Sequence, residues 1–220
     1  MNIIPIPDNT QFVVIIVITF ISLVLLAWVR TSGSKYLNEI FPAVVFERKA
    51  YKLWVENSSV SAGIAALLNV ILFFNLSVLV WEFIFINRIP VHPSFLYILV
   101  PGLILSFFAA KQLLYYLIGS ATDQTETTSV YVQGVMIIYR VFGLSLFPVI
   151  IAAPFCSSWL SMALFVTAAA LFVSAQLLIW YRAFVFCKKT KFSIFYLFLY
   201  LCTLEIFPVL FIFKIALSLM

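Results

Sequence analysis

The chain has 220 residues, of which 65% are hydrophobic and only 10% are charged, and its net charge is +5. Soluble domains average about 45–50% apolar and about 25% charged residues, so a soluble fold of this size would lack the polar residues to cover its surface. Apolar runs of about 18 residues or more recur, which is the length that crosses the roughly 30 Å hydrocarbon core of a bilayer. The short alternating segments of a transmembrane β-barrel do not occur. The composition therefore predicts an all-α, polytopic transmembrane helical bundle.

Six apolar segments predict six spans within a single membrane domain, residues 1–220. Their approximate ranges are 12–30, 60–86, 94–112, 138–156, 159–182 and 192–214. The first apolar run, from Phe12 to Val29, has no basic residue before it and Arg30 directly after it. A secretory signal has a basic front and a small-residue cleavage site, so we interpret this run as a retained membrane anchor.

The basic residues predict the orientation of the spans. Eleven Lys and Arg residues fall on one side of a six-span arrangement and two fall on the other. The eleven lie in the 30–56 and 182–191 connections and at Lys111 and Arg140. Because an excess of Lys and Arg marks the cytoplasmic side, both termini are expected outside, in the periplasm. The cations flank apolar spans and form no soluble basic face, so nucleic acid is not expected as a partner.

The connection between spans one and two, PAVVFERKAYKLWVEN, predicts an amphipathic cytoplasmic helix that Pro42 opens. Its apolar face would comprise Val44, Tyr51, Trp54 and Val55. Basic helices with aromatic anchors commonly lie in the headgroup layer. The candidate membrane-surface residues are Arg48, Lys49, Lys52 and Trp54. The alternative is a short linker helix packed under the bundle.

The connection between spans three and four, residues 113–137, has a polar centre, SATDQTETTS, between two apolar flanks. We interpret the centre as a solvated cytoplasmic loop. The flanks either extend spans three and four or lie along the membrane interface, and a re-entrant hairpin is the remaining alternative.

Glu205 is the leading candidate for a functional residue. It lies thirteen residues after Phe192, which at about 1.5 Å per residue is roughly 20 Å into the bilayer. Acidic residues at such depth usually face the bundle interior or a water-filled cavity. Pro208, three residues later, removes a helix donor and should bend the backbone. The pair predicts either a substrate or proton site or a structural clasp between helices.

The other polar residues in the spans have simpler interpretations. The expected bridges between helices are Asn69, Asn75 and Gln176, because polar side chains inside membranes hydrogen-bond across helix interfaces. Arg140 and Lys111 are expected to snorkel to the cytoplasmic surface, and Arg140 would reach toward Glu205 only if span four began earlier. Glu82 and Lys214 lie near the outer ends of spans two and six, where they either pair or remain half-solvated.

Motifs for catalysis or metal binding are absent from the sequence. His92 is the only histidine, and the three cysteines are too widely spaced for a zinc site or a disulfide framework. No phosphate-binding glycine loop, nucleophile elbow or paired-carboxylate motif occurs. We therefore expect no cofactor and no enzymatic activity.

Three stretches of the sequence form a signature. The C-terminal YLCTLEIFP is distinctive, and looser patterns occur at NEIFPAVVFERKAYKLWVENSS and at Arg140-Val141-Phe142-Gly143-Leu144, which leads to Pro148. Together they resemble an uncharacterised family of inner-membrane proteins from the Bacteroidota, a domain of unknown function. The resemblance implies a location in a Gram-negative inner membrane and carries no activity to these residues.

Two hypotheses about function follow from these patterns. Missing catalytic motifs, short outward loops and many aromatic residues favour a non-enzymatic accessory or scaffold subunit of a larger inner-membrane complex, in protein export or cell-envelope biogenesis. Its partners would be the lipid bilayer and other integral membrane subunits. The alternative is a small transporter or lipid-handling protein that uses Glu205, with Pro208 shaping a cavity.

Overall fold

The computed structural model describes residues 9–55, 59–86, 93–121, 125–156 and 158–190. Within these ranges the chain is helical and contains no strand. Its helices are α1 (Asn9–Ser32), α2 (Ser34–Val45), α3 (Glu47–Val55), α4 (Ser59–Ile86), α5 (Pro93–Ala121), α6 (Thr125–Ser145), α7 (Phe147–Ala152) and α8 (Ser158–Thr190), with a 3-10 turn at Ala153–Phe155. The predicted sixth span, 192–214, lies outside the described residues.

Five segments are long and apolar enough to cross a membrane. They are Val13–Ser32, Ser61–Ile84, Tyr97–Leu117, Thr128–Phe155 and Trp159–Val185. They correspond to the first five predicted spans, so the prediction of an all-helical, multi-pass membrane protein is confirmed. The number of six spans and the outward position of both termini stay predictions.

Spans three and four continue further than the sequence predicted. Because α5 runs to Ala121 and α6 begins at Thr125, most of residues 113–137 is helical. The flanks thus extend the two spans, and part of the stretch interpreted as a solvated loop is helical as well. Tyr115 and Tyr131 pack edge to face with ring centroids 6.1 Å apart. This aromatic contact gives the extensions a buried interface of their own, which favours paired helices over a re-entrant hairpin.

The connection between spans one and two forms two helices instead of one. Pro42, which was expected to open a helix, lies inside α2. The break falls at Phe46, whose backbone is extended (φ −100°, ψ 109°). The Phe46 N–H donates to the Pro42 carbonyl over 3.0 Å and closes α2, while the Phe46 carbonyl accepts from the N–H groups of Lys49 and Ala50 and starts α3. The interruption thus follows the proline by one turn.

Only part of the predicted apolar face lies on one helix, because Val44 belongs to α2 whereas Tyr51 and Val55 belong to α3. α3 packs against the bundle through buried Ala50 and half-buried Leu53, whereas Tyr51 and Val55 are exposed. The prediction assumed one continuous helix from Val44 onward. The extended residue at the break changes the rotation of α3, so residues on its two sides no longer share one face.

The core of the described bundle is built around α4 and α6. The buried stripe of α4 recurs every three or four residues and comprises Ile64, Leu68, Ile71, Asn75, Val78 and Glu82. α6 packs against α2, α3, α4, α5, α7 and α8. The two central helices approach most closely at Gly143, where an added Cβ would lie 2.9 Å from the Cα of Leu72. Only glycine allows this backbone approach.

Replacing Gly143 with alanine is expected to destabilise the fold. The added methyl group meets the backbone of α4 at Leu72, which cannot move aside as a side chain would, and overpacking of this kind costs about 1–3 kcal/mol. The midpoint of thermal unfolding in detergent should fall by at least about 3 °C. Gly63→Ala is the matched control, because a Cβ at that exposed position meets no atom within 4 Å. Equal midpoints for the two variants would contradict the close approach.

Candidate functional site

Among the described residues, three buried cationic side chains either contact α6 or belong to it, all between Gly134 and Arg140 of that helix. Lys111 comes from α5, Arg140 belongs to α6 and Arg182 comes from α8, and each is less than a tenth exposed. We call these three side chains the cation cluster. Isolated charges are costly in an apolar environment, so their partners determine how this part of the bundle is held together.

Arg182 donates hydrogen bonds to free backbone carbonyls at the C-terminal end of α2. Its Nη1 donates to the Gly134 carbonyl over 2.5 Å, and its Nη2 donates to the carbonyls of Ala43 and of Val44, the latter over 3.0 Å. The last carbonyls of a helix have no partner within it and carry partial negative charge, so a guanidinium is a favourable cap. A Cβ at residue 134 would lie 2.6 Å from this Nη1. Glycine there leaves the room that the guanidinium occupies.

Arg140 joins α6 to α4 and α2. Its Nε donates to Asn69 Oδ1 over 2.8 Å, and its Nη1 donates to the Tyr36 hydroxyl over 3.0 Å. The side chain is 6% exposed, so the interpretation that it snorkels to the surface does not describe its position. Because α2 packs over α6 at this level, the guanidinium meets Tyr36 before it reaches water.

Lys111 joins α5 to α6, and because it is 5% exposed the prediction that it snorkels to the surface is wrong as well. Its Nζ donates to the Tyr139 hydroxyl over 2.8 Å and lies 4.9 Å from the centroid of the Tyr139 ring and 5.9 Å from that of Tyr115. Aromatic faces attract a cation that has lost its water. Two of the cluster's cations, Lys111 and Arg140, thus bond phenolic hydroxyls of neighbouring helices.

The expected helix bridges have different surroundings. Asn69 accepts from Arg140, and Asn75 donates from Nδ2 to the Gly143 carbonyl over 2.9 Å, at the closest approach of α4 and α6. Gln176 is buried on α8, but its Oε1 has no hydrogen-bond partner in the described part of the chain. Bridging contacts are therefore seen for the two asparagines.

Glu82 is more deeply buried than the sequence indicated. It is 3% exposed, and neither carboxyl oxygen has a hydrogen-bond partner among the described residues. Sequence reasoning placed it by its distance from the end of the span and expected either half-solvation or a pair with Lys214, which lies outside the described residues. The spacing of seven residues between Asn75 and Glu82, which puts both on the buried face of α4, was the signal that could have identified this burial.

The remaining predicted residues are only partly described. Glu205, Pro208 and Lys214 lie outside the described residues, so their roles stay predictions. The predicted surface cations Arg48, Lys49 and Lys52 on α3 are exposed, and the Lys49 Nζ lies 5.6 Å from the Phe46 ring centroid. The Trp54 side chain is outside the description. Contact of these residues with a membrane surface also stays a prediction.

Two cavities adjoin Arg140 and its partner Asn69. The larger, about 270 Å³, is apolar and lies between α4, α5 and α6, where Asn69, Phe73, Leu105 and Phe108 contribute to its wall. The smaller, about 30 Å³, is lined by polar groups of Tyr36, Ser61, Gln133 and Arg140 and by apolar side chains of α3, α4 and α6. The Arg140–Asn69 hydrogen bond therefore connects the wall of one cavity to that of the other.

Comparison with known proteins identifies the family. Residues 15–216 match DUF4271, a domain of unknown function. The chain belongs to this family. The DUF4271 match includes the cation cluster, Asn75 and Glu82, and it confirms the resemblance to a domain of unknown function. No curated protein and no solved structure matches this DUF4271 chain significantly.

Removal of the Arg182 guanidinium is expected to detach the end of α2. Arg182→Gln shortens the side chain and removes its charge, leaving the carbonyls of Gly134, Ala43 and Val44 without this donor. Hydrogen bonds from a charged, buried group support a loss of about 2–4 kcal/mol, measured as a lower midpoint of thermal unfolding. Arg30→Gln, at an exposed cation, should leave the midpoint unchanged. A wild-type midpoint for Arg182→Gln would refute this anchoring role.

Proposed function

We propose that this chain is a non-enzymatic, multi-pass inner-membrane protein that serves as an accessory or scaffold subunit of a larger membrane complex in protein export or cell-envelope biogenesis. The observation that carries the proposal is a stripe of small residues on the exposed face of α5. Gly102, Ser106 and Ala110 recur every four residues along the span and are all exposed. We call these three positions the α5 stripe.

The shape of the α5 stripe suits a partner helix. A Cβ at Gly102 would meet no atom within 4 Å, so the backbone is bare there. Large exposed side chains flank the stripe, among them Ile98, Leu103 and Leu105. Lipid gives apolar helices no hydrophobic reason to associate, so membrane helices associate through van der Waals contact at small residues spaced in this way. The stripe forms a shallow groove with raised edges for such contact.

The Ser106 hydroxyl adds a polar reason for a partner. On the described spans, several hydroxyls donate to carbonyls three or four residues earlier, among them those of Ser77, Ser145, Thr167 and Ser174. Three buried serine and threonine hydroxyls, those of Thr19, Ser22 and Ser161, have no partner among the described residues. The Ser106 hydroxyl has no such bond within the described residues, although it lies in the middle of an apolar span. Hydrocarbon provides no acceptor, whereas a serine, threonine or backbone carbonyl of another helix does.

The cation cluster supports a scaffold function because its described hydrogen bonds are made to other groups of the protein. The side-chain bonds described for Arg140 and Arg182 join α2, α4, α6 and α8 through carbonyl, amide and hydroxyl groups. This use of charge fixes helices relative to one another and presents α5 on a stable bundle.

A second candidate function is that of a small transporter or lipid-handling protein using Glu205. The observations that favour it are the buried carboxyl of Glu82, which has no hydrogen-bond partner among the described residues, and the apolar cavity of about 270 Å³ between α4, α5 and α6. A cavity of this volume accommodates part of an acyl chain. Under this function, loss of a partner helix at α5 would leave transport or lipid handling intact.

The proposed orientation places α2, α3 and the α5–α6 turn in the cytoplasm and both termini in the periplasm. An excess of Lys and Arg retains segments on the cytoplasmic side. Fusions after Lys52 and after Ala121 should therefore give fluorescent green fluorescent protein and inactive alkaline phosphatase. Active phosphatase at both positions would contradict the proposed orientation and indicate the opposite one.

Blocking the α5 stripe is expected to release the partner. Ala110→Leu fills the groove with a bulky side chain, so gentle affinity purification should recover at least about tenfold less of a stoichiometric integral-membrane companion, which corresponds to about 1.4 kcal/mol. Ala170→Leu makes the same chemical change at an exposed position of α8 and should retain the companion.

Three outcomes would count against the proposal. The wild-type chain would yield no companion under several mild conditions, or Ala110→Leu would retain it, or both alanine variants would lose it equally. Thermal unfolding of each variant checks that a loss does not arise from misfolding.

A further inference from the structure

We propose that the small cavity beside Arg140 binds an inorganic anion of halide size. The cavity lies where α2, α3, α4 and α6 meet, and its polar wall is formed by Tyr36, Ser61, Gln133 and Arg140. We call it the Arg140 cavity. The inference rests on charge, on unused donors and on volume, and it does not depend on the proposed partner at α5.

The charge of Arg140 is not balanced by a carboxylate in the described chain. Its hydrogen bonds go to the neutral side chains of Asn69 and Tyr36. The Arg140 side chain is only 6% exposed, so water does not solvate the charge fully. A buried charge without a counter-ion is costly, because neutral acceptors replace only part of the water that it has lost. An anion in the adjoining cavity would offset that cost.

Residues that line the cavity carry unused hydrogen-bond donors. The bonds of Arg140 engage Nε and Nη1, and Nη2 has no acceptor within the described residues. The Tyr36 hydroxyl accepts from Arg140, so its own proton is available for a further bond. Gln133 also lines the cavity, is exposed and carries an amide that can donate. Among the described side chains, no Asp or Glu lines the cavity. Donors without acidic groups select anions.

The volume restricts the size of the ligand. The cavity measures about 30 Å³, and a single water requires about 10–15 Å³ by this measure. It therefore holds about two waters or one monatomic anion, and a whole phosphate group or a metabolite carboxylate is too large. The rest of the wall is formed by Ala50, Leu53, Ala65 and Ile137, which suits a weakly hydrated halide better than a strongly hydrated oxyanion.

A bound anion would tie the connection between spans one and two to the bundle. Tyr36 belongs to α2 and Arg140 to α6, while Ala50 and Leu53 of α3 close one side of the cavity. Binding to the folded state alone stabilises that state by mass action. The stability of the protein should consequently depend on the identity of the anion.

The test uses the purified full chain in detergent at fixed pH and ionic strength. The midpoint of thermal unfolding is measured while sodium gluconate is replaced stepwise by sodium chloride or bromide. We expect a saturable rise of about 3 °C or more in either halide. Tyr36→Phe removes one donor and keeps the ring and Arg140, and it should raise the half-saturating halide concentration at least about fivefold. Tyr116→Phe, at an exposed tyrosine, should titrate like the wild type.

Four results would overturn the proposal. Equal midpoints in halide and gluconate would mean that only water fills the cavity. An unchanged titration for Tyr36→Phe would place the halide elsewhere. An equal, Tyr36-dependent rise in phosphate would contradict the size limit. In lipid nanodiscs without halide, a Tyr36-dependent rise on adding anionic phospholipid would assign the site to a lipid headgroup.

Discussion

Hydrocarbon offers no hydrogen bonds, and this constraint explains the arrangement of polar groups in the bundle. A polar side chain or free carbonyl within the spans needs a partner from the protein. α6 provides or receives many of these bonds: Gly134 and Gly143 contribute carbonyls, Tyr139 a hydroxyl and Arg140 a guanidinium. Its central place in the fold thus follows from hydrogen bonding as much as from apolar packing.

The two glycines of α6 show how packing and polarity are coupled. At Gly143 the missing side chain lets α4 approach, and the same carbonyl accepts from Asn75. At Gly134 the missing side chain makes room for the Arg182 guanidinium, which bonds the carbonyl of that residue. In each case one residue provides both the space and the carbonyl acceptor, so a larger side chain there would displace the neighbouring group and its hydrogen-bond donor together.

The sequence predicted where helices cross the membrane better than it predicted which residues they bring together. Of the six predicted spans, the first five correspond to long apolar helices, because insertion depends on length and hydrophobicity along the chain. The rotation of a helix depends on its neighbours. Thus the sequence placed Arg140 and Lys111 at the surface and Glu82 near the end of its span, although all three are buried.

Arg182 shows a second limit of sequence reasoning. It served only as one cation among eleven in the prediction of orientation, yet it caps α2. No local pattern pairs residues that lie 138 and 139 positions apart. The helix break at Phe46 was missed for a different reason, since Pro42 drew attention to the start of a helix while the chain bends one turn later.

The same long-range cap has a consequence for biosynthesis. The carbonyls of Ala43 and Val44 leave the ribosome far earlier than Arg182. At about 5–20 residues per second, translation separates them by roughly 7–28 s. During that interval the carbonyls at the end of α2 must accept hydrogen bonds from water or from lipid headgroups. The contact between Arg182 and the end of α2 therefore forms late, after α8 has been synthesised.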